Sequence, residues 1–129
     1  MGLLAHVIES DRPVDEHPMV FEIRNYHYEP SLINEYRAWA TDRAVPYIKE
    51  HLDLVGFWVN VDEPAQIGGK PLDELGSATV TWIIRWPDVE TRHRVMGEVF
   101  GSDAWREIMS DNPGQENYHR TEAKFAEAI

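Results

Sequence analysis

Four side chains able to take part in chemistry alternate along one short stretch: Glu22, Arg24, Tyr26 and Tyr28. Alternate residues of a strand share a face, so a carboxylate, a guanidinium and two phenols stand side by side. Such a set suits general acid–base work on a small organic molecule. That work needs a dry pocket, an ionisable group with a shifted pKa, and a donor to hold developing charge. In this reading Glu22 or His27 is the base, and Arg24 or Arg85 is the partner of a developing oxyanion. Tyr26, Tyr28, Trp58 and Trp82 are the walls that hold the substrate. The plainer reading is that Glu22 and Arg24 neutralise each other in a buried core, and the residues alone leave both open.

Other chemistries are poorly served. The six histidines (His6, His17, His27, His51, His93 and His119) show neither His-x-x-x-His nor His-Glu-x-x-His spacing. A metal site would have to assemble from separate elements, so no metal and no cofactor is expected. Haem is a lesser alternative that an absorption spectrum tests. No serine sits in a Gly-x-Ser-x-Gly elbow, and Ser31 and Ser102 read as helix caps. The chain has no cysteine, which excludes disulfides, thiolate nucleophiles and Cys-ligated metals.

The elements that must position these groups can be read in order. Residues 1–18 carry prolines and charges and read as an N-terminal arm. Residues 19–28 form a first strand. Ser31 then caps a long amphipathic helix over residues 32–51, which Pro46 kinks or divides into two abutting helices by withholding a donor and pushing Val45 from helical angles. Residues 54–61 form a second strand, with Val55, Phe57 and Val59 on its apolar face. Residues 62–77 are polar and glycine-rich, a surface insertion or a lid. In the strand at 79–86, Val80, Trp82, Ile84 and Trp86 share one face, so this strand is central and lies against a core. Asp88 caps a helix ended by Gly101, and Ser102 or Asp103 caps a shorter one. Residues 117–125 read as a weak edge strand.

This order gives an α+β fold: ferredoxin-like βαββαβ, with both helices on one face of a four-stranded antiparallel sheet. Val55, Phe57 and Val59 with Val80, Trp82 and Trp86 are the candidates for the helix side. The other face then keeps Tyr26, Tyr28, Trp58, Ile83 and Leu54, a patch that a two-fold homodimer would cover. At 129 residues the chain is one domain. Twelve basic against 23 acidic residues give a formal charge of −11, which argues against nucleic acid and anionic membrane as partners. The short apolar start is no signal peptide or membrane span, and the protein reads as cytoplasmic.

Phe21-Glu22-Ile23-Arg24-Asn25-Tyr26, Val45-Pro46, Lys49-Glu50-His51, Val55-Gly56-Phe57-Trp58, Arg92 and Asp103-Ala104-Trp105 together resemble the NIPSNAP family. That family shows Tyr-Glu-Leu-Arg-x-Tyr, then Val-x-Pro, Gly-Phe-Trp, an Arg and Asp-Pro-x-Trp. The likeness spans about residues 19–125, so residues 19–129 are expected to form the NIPSNAP-like domain. It implies a dimeric α+β barrel. The sequence departs from the pattern in its longer 62–77 loop, in Trp82 where a polar residue such as His is common, and in its tail. The functional expectation is a small-molecule enzyme of isomerase, cyclase or oxygenase type, working without a cofactor in small-molecule or secondary metabolism. The alternative is a non-catalytic ligand-binding or scaffolding homodimer.

Overall fold

The computed structural model describes residues 19–71 and 74–129; the expected arm at residues 1–18 lies outside them. Four strands form one antiparallel sheet: β1 (Val20–Tyr28), β2 (Leu54–Val59), β3 (Val80–Trp86) and β4 (Tyr118–Glu127), in the order β2-β3-β1-β4. Helices α1 (Ile33–Trp39) and α2 (Val45–His51) connect β1 to β2, and α3 (Val89–Phe100) and α4 (Asp103–Ser110) connect β3 to β4. This is the ferredoxin-like α+β arrangement that the element order implies.

β3 is central, and its burial alternates with its pleat. Val80, Trp82, Ile84 and Trp86 are buried, whereas Arg85 is exposed. Each buried indole removes roughly 150–250 Å² of surface from water, a gross gain of about 4–6 kcal/mol before entropy is set against it. The register then decides which side chains of β1 join this layer. Glu22 stands opposite Ile84, Arg24 opposite Trp82 and Tyr26 opposite Val80, so all three lie on the helix-covered face. The expectation that the Glu22, Arg24, Tyr26 and Tyr28 face lies away from the helices is therefore corrected. Phe21, Ile23, Asn25 and His27 occupy the open face instead.

A bulge at Val55 accounts for a second difference. Leu54 pairs with Ile84 but Gly56 pairs with Ile83, so one extra residue is accommodated between them. Leu54 is turned to the helix side with Phe57 and Val59, and Val55 is left half exposed. Gly56 is required by its neighbour, because a Cβ there would lie 2.3 Å from the Trp58 ring.

Pro46 is accommodated without a break. The chain between α1 and α2 is a π-helical turn (Ala40–Ala44), and the Val45 N–H donates to the Ala40 carbonyl. Val45 keeps right-handed helical angles, φ −64° and ψ −44°, contrary to expectation. Widening the turn by one residue removes the demand for a donor at Pro46 while both helices stay on the core. Asp88 and Ser102 cap α3 and α4, accepting from the N–H groups of Thr91 and Trp105. Ser31 is no helix cap. It lies within a short 3₁₀ turn and donates its N–H and hydroxyl to Glu29. Among the described residues no helix is long and apolar enough to cross a membrane.

Candidate functional site

Glu22 is fully buried, and its carboxylate is saturated with donors. Arg92 on α3 grips it with both arms of its guanidinium, Nε to Oε1 and Nη2 to Oε2, each at 2.8 Å. Trp86 Nε1 donates to Oε1 at 3.0 Å, and Arg24 Nη1 donates to Oε2 at 2.5 Å. Burial pushes the Glu22 carboxyl up, but hydrogen bonds and charge from Arg92 and Arg24 outweigh it and hold the group below the usual carboxylate range. A carboxylate in that state is a poor proton acceptor. Its role here is to orient Arg24.

Arg24 has the opposite character. One arm is fixed on Glu22, and Nε donates to the Tyr26 hydroxyl at 2.7 Å. Burial disfavours its charge, and the contacts with Tyr26 and Glu22 more than restore it. The guanidinium also lies 5.2 Å from the centre of the Trp82 ring. Among the described residues, Nη2 of Arg24 and the O–H of Tyr26 find no acceptor. Two donors, one of them charged, are thus fixed side by side and unspent.

They face a cavity of about 390 Å³ between the sheet and the helices. The volume lies within the usual range for small-molecule sites. Trp82 and Phe57 stack at 5.6 Å and form part of the sheet wall. Tyr36 and Trp39 of α1, Phe100 of α3, Trp105 of α4 and Tyr118 of β4 add further aromatic rings. Ala44, at the end of the π-helical turn, adds a small side chain to the lining and so leaves room. Trp39 Nε1 donates to the Ile108 carbonyl at 2.9 Å, which ties α1 to α4 across the cavity. Burial pushes the Tyr36 phenol far up and that of Tyr118 up to about 12, so both stay neutral. Among the described residues, Arg24 is the one of fixed charge in the lining.

The expected site residues therefore divide. Glu22, Arg24, Tyr26, Tyr28 and Trp82 share the helix-side layer; Tyr28 is wholly buried, and its hydroxyl donates to the Gly114 carbonyl at 3.0 Å. Gly114 has φ +146°, a backbone conformation that favours glycine. His27, Trp58 and Arg85 lie on the other face of the sheet and do not join them. His27 meets the Gly76 carbonyl at 2.9 Å, and Arg85 pairs with Asp53 at 2.7 Å. No described residue of the 62–77 loop lines the cavity. Sequence reading missed Arg92 as a partner of Glu22. An arginine within the apolar inward stripe of α3 was the available signal, since a cation buried on a helix needs a counter-ion.

No protein-family model matches the sequence, and no curated protein matches it. Solved structures do. A NIPSNAP family protein of unknown function from Agrobacterium tumefaciens superposes with a TM-score of 0.67 at 19% identity, over 87% of this chain and 89% of its own. A NIPSNAP-like domain protein from Burkholderia xenovorans gives 0.68 at 19%, over 88% and 87%. This chain has the NIPSNAP fold. The same architecture extends to a putative antibiotic biosynthesis monooxygenase from Bordetella bronchiseptica, with a TM-score of 0.55 at 13% identity over 88% and 99%. In this NIPSNAP fold the cavity lies within one chain, between its own sheet and helices.

Proposed function

We propose that this protein binds a small, mostly apolar molecule in the sheet–helix cavity and turns it over without a cofactor. The supporting observation is the Arg24–Tyr26 pair, joined by a 2.7 Å hydrogen bond from Nε to the hydroxyl and keeping one donor each to spare, at the wall of a largely apolar cavity. Donors pre-set where negative charge develops are the largest single contribution to many enzymatic reactions. The chemistry this favours is enolate formation, the shared first step of isomerase, cyclase and cofactor-independent oxygenase reactions. Glu22 is not the base. The carbon-bound proton leaves to solvent, the electron pair passes to the substrate oxygen, and Arg24 and Tyr26 hold that oxygen.

The alternative, a non-catalytic binding or scaffolding dimer, draws support from the absence of any carboxylate or imidazole in the described lining. Proton exchange separates the two. With 2-tetralone in deuterated buffer, the catalytic reading expects faster loss of the α-hydrogen than in buffer alone. Arg24→Gln and Tyr26→Phe would each lower that rate by about 100-fold. If tetralone binds and exchange runs at the buffer rate, the protein is a binder.

The proposed assembly is a homodimer closed through the open sheet face. Phe21, Ile23 and Ile83 lie there, with Trp58 about half exposed beside them. A second copy of the same face would cover them. The proposed setting is cytoplasmic small-molecule or secondary metabolism, in keeping with the acidic, cysteine-free composition and the monooxygenase-like fold neighbour.

A further inference from the structure

We infer that the cavity selects a flat aromatic monoanion, with its single negative oxygen group seated on Arg24 and Tyr26 and its rings between the aromatic walls. The inference rests on the proposed cavity as binding site and names its substrate class.

Three observations carry it. Among the described residues, Arg24 is the only one of fixed charge in the lining, and no acid lies there to cancel it. One carboxylate, Glu22, sits between two guanidinium groups, Arg24 and Arg92, so the cluster behind the wall keeps one net positive charge. A ligand anion completes it, and a ligand cation does not. The free donors then give the geometry. Arg24 and Tyr26 are joined at 2.7 Å and both line the cavity, so a carboxylate, phenolate or enolate group there would take the Nη2–H and O–H donors together.

The remaining walls set the rest of the class. Trp82 stacks on Phe57, and Trp39 meets Trp105 edge-on at 6.2 Å, so the walls offer ring faces and edges suited to a flat ring system. At about 30 Å³ per water in the liquid, 390 Å³ takes on the order of a dozen atomic centres, the size of a two-ring compound. A second anionic group on the far ring would lie among indoles and phenyl groups with no cation to meet it. That unpaired charge would be expelled.

Quenching of tryptophan fluorescence with naphthalene probes tests this. At neutral pH, 2-naphthoate is expected to bind about ten- to hundredfold more tightly than the neutral isostere 2-naphthamide. Naphthalene-2,6-dicarboxylate and 2-naphthylmethylammonium are expected to bind more weakly than the amide. In Arg24→Gln the acid and the amide are expected to bind alike, with the amide affinity retained. Arg24→Lys keeps a cation and is expected to restore part of the preference. Equal affinities for acid and amide in the wild-type protein would overturn the charge selection and leave the cavity reading intact. Failure of every naphthalene probe to bind the folded protein would overturn both. Should Arg24→Gln not fold, the comparison of the four probes on wild-type protein decides the matter.

Discussion

Glu22 shows how a residue type can suggest one role and its surroundings assign another. A glutamate beside an arginine and two tyrosines reads equally well as a general base or as a neutralised ion. Four donated hydrogen bonds settle it as the latter. The consequence is structural. Glu22→Gln leaves two buried guanidinium groups facing an amide, and is expected to lower stability by about 3–5 kcal/mol in chemical denaturation. The pH dependence follows from the direction of the shift. The folded-state pKa lies below the ordinary carboxylate value of about 4.5, so the Glu22 contribution is complete above that value and is lost as pH falls through the folded-state pKa. Acid unfolding of the wild type should begin below about pH 4.5, and Glu22→Gln should flatten that limb of the curve. A variant with wild-type stability and an unchanged acid limb would remove Glu22 from this role. Arg92 is the residue the sequence concealed, because helical periodicity places it on the inward stripe without saying what it meets.

The four strands and both helical connections were legible in the sequence, since periodicity and turn chemistry report locally. The single-residue irregularities were not. The bulge at Val55 turns Leu54 inward and Val55 outward, against the simple alternation of β2. The choice of face for β1 was also hidden, because each side of that strand carries aromatic and polar groups. Only pairing with β3 decides it. The π-helical turn is the third such feature, and it matters most for the cavity. A π-turn amounts to one extra residue in an α-helix. Deleting the exposed Thr41 should therefore give a continuous α-helix that places Pro46 in its interior, at a cost of about 3 kcal/mol in a thermal melt. The same deletion moves the Ala44 wall and should abolish 2-naphthoate binding. Undiminished binding in a folded deletion variant would show that the π-turn has no part in shaping the site.

At the scale of the whole molecule, the site and the proposed dimer separate. The phenols, the guanidinium and most of the indoles lie under the chain's own helices, while Trp58 lies on the opposite sheet face. Trp58→Glu is accordingly expected to yield a monomer in sedimentation experiments with probe affinity within about twofold of wild type, since the two surfaces share no residue. Loss of binding on dissociation would mean that a partner subunit completes the cavity. The formal charge of −11 opposes the approach of any anion, so association with 2-naphthoate should quicken as salt is added. The most direct test of the central claim is a crystal structure of the protein with 2-naphthoate. The account predicts the carboxylate on Arg24 Nη2 and the Tyr26 hydroxyl, with the rings beside Trp82 and Trp39. A ligand on the open sheet face beside Trp58 and Arg85, with the sheet–helix cavity filled by side chains, would contradict it.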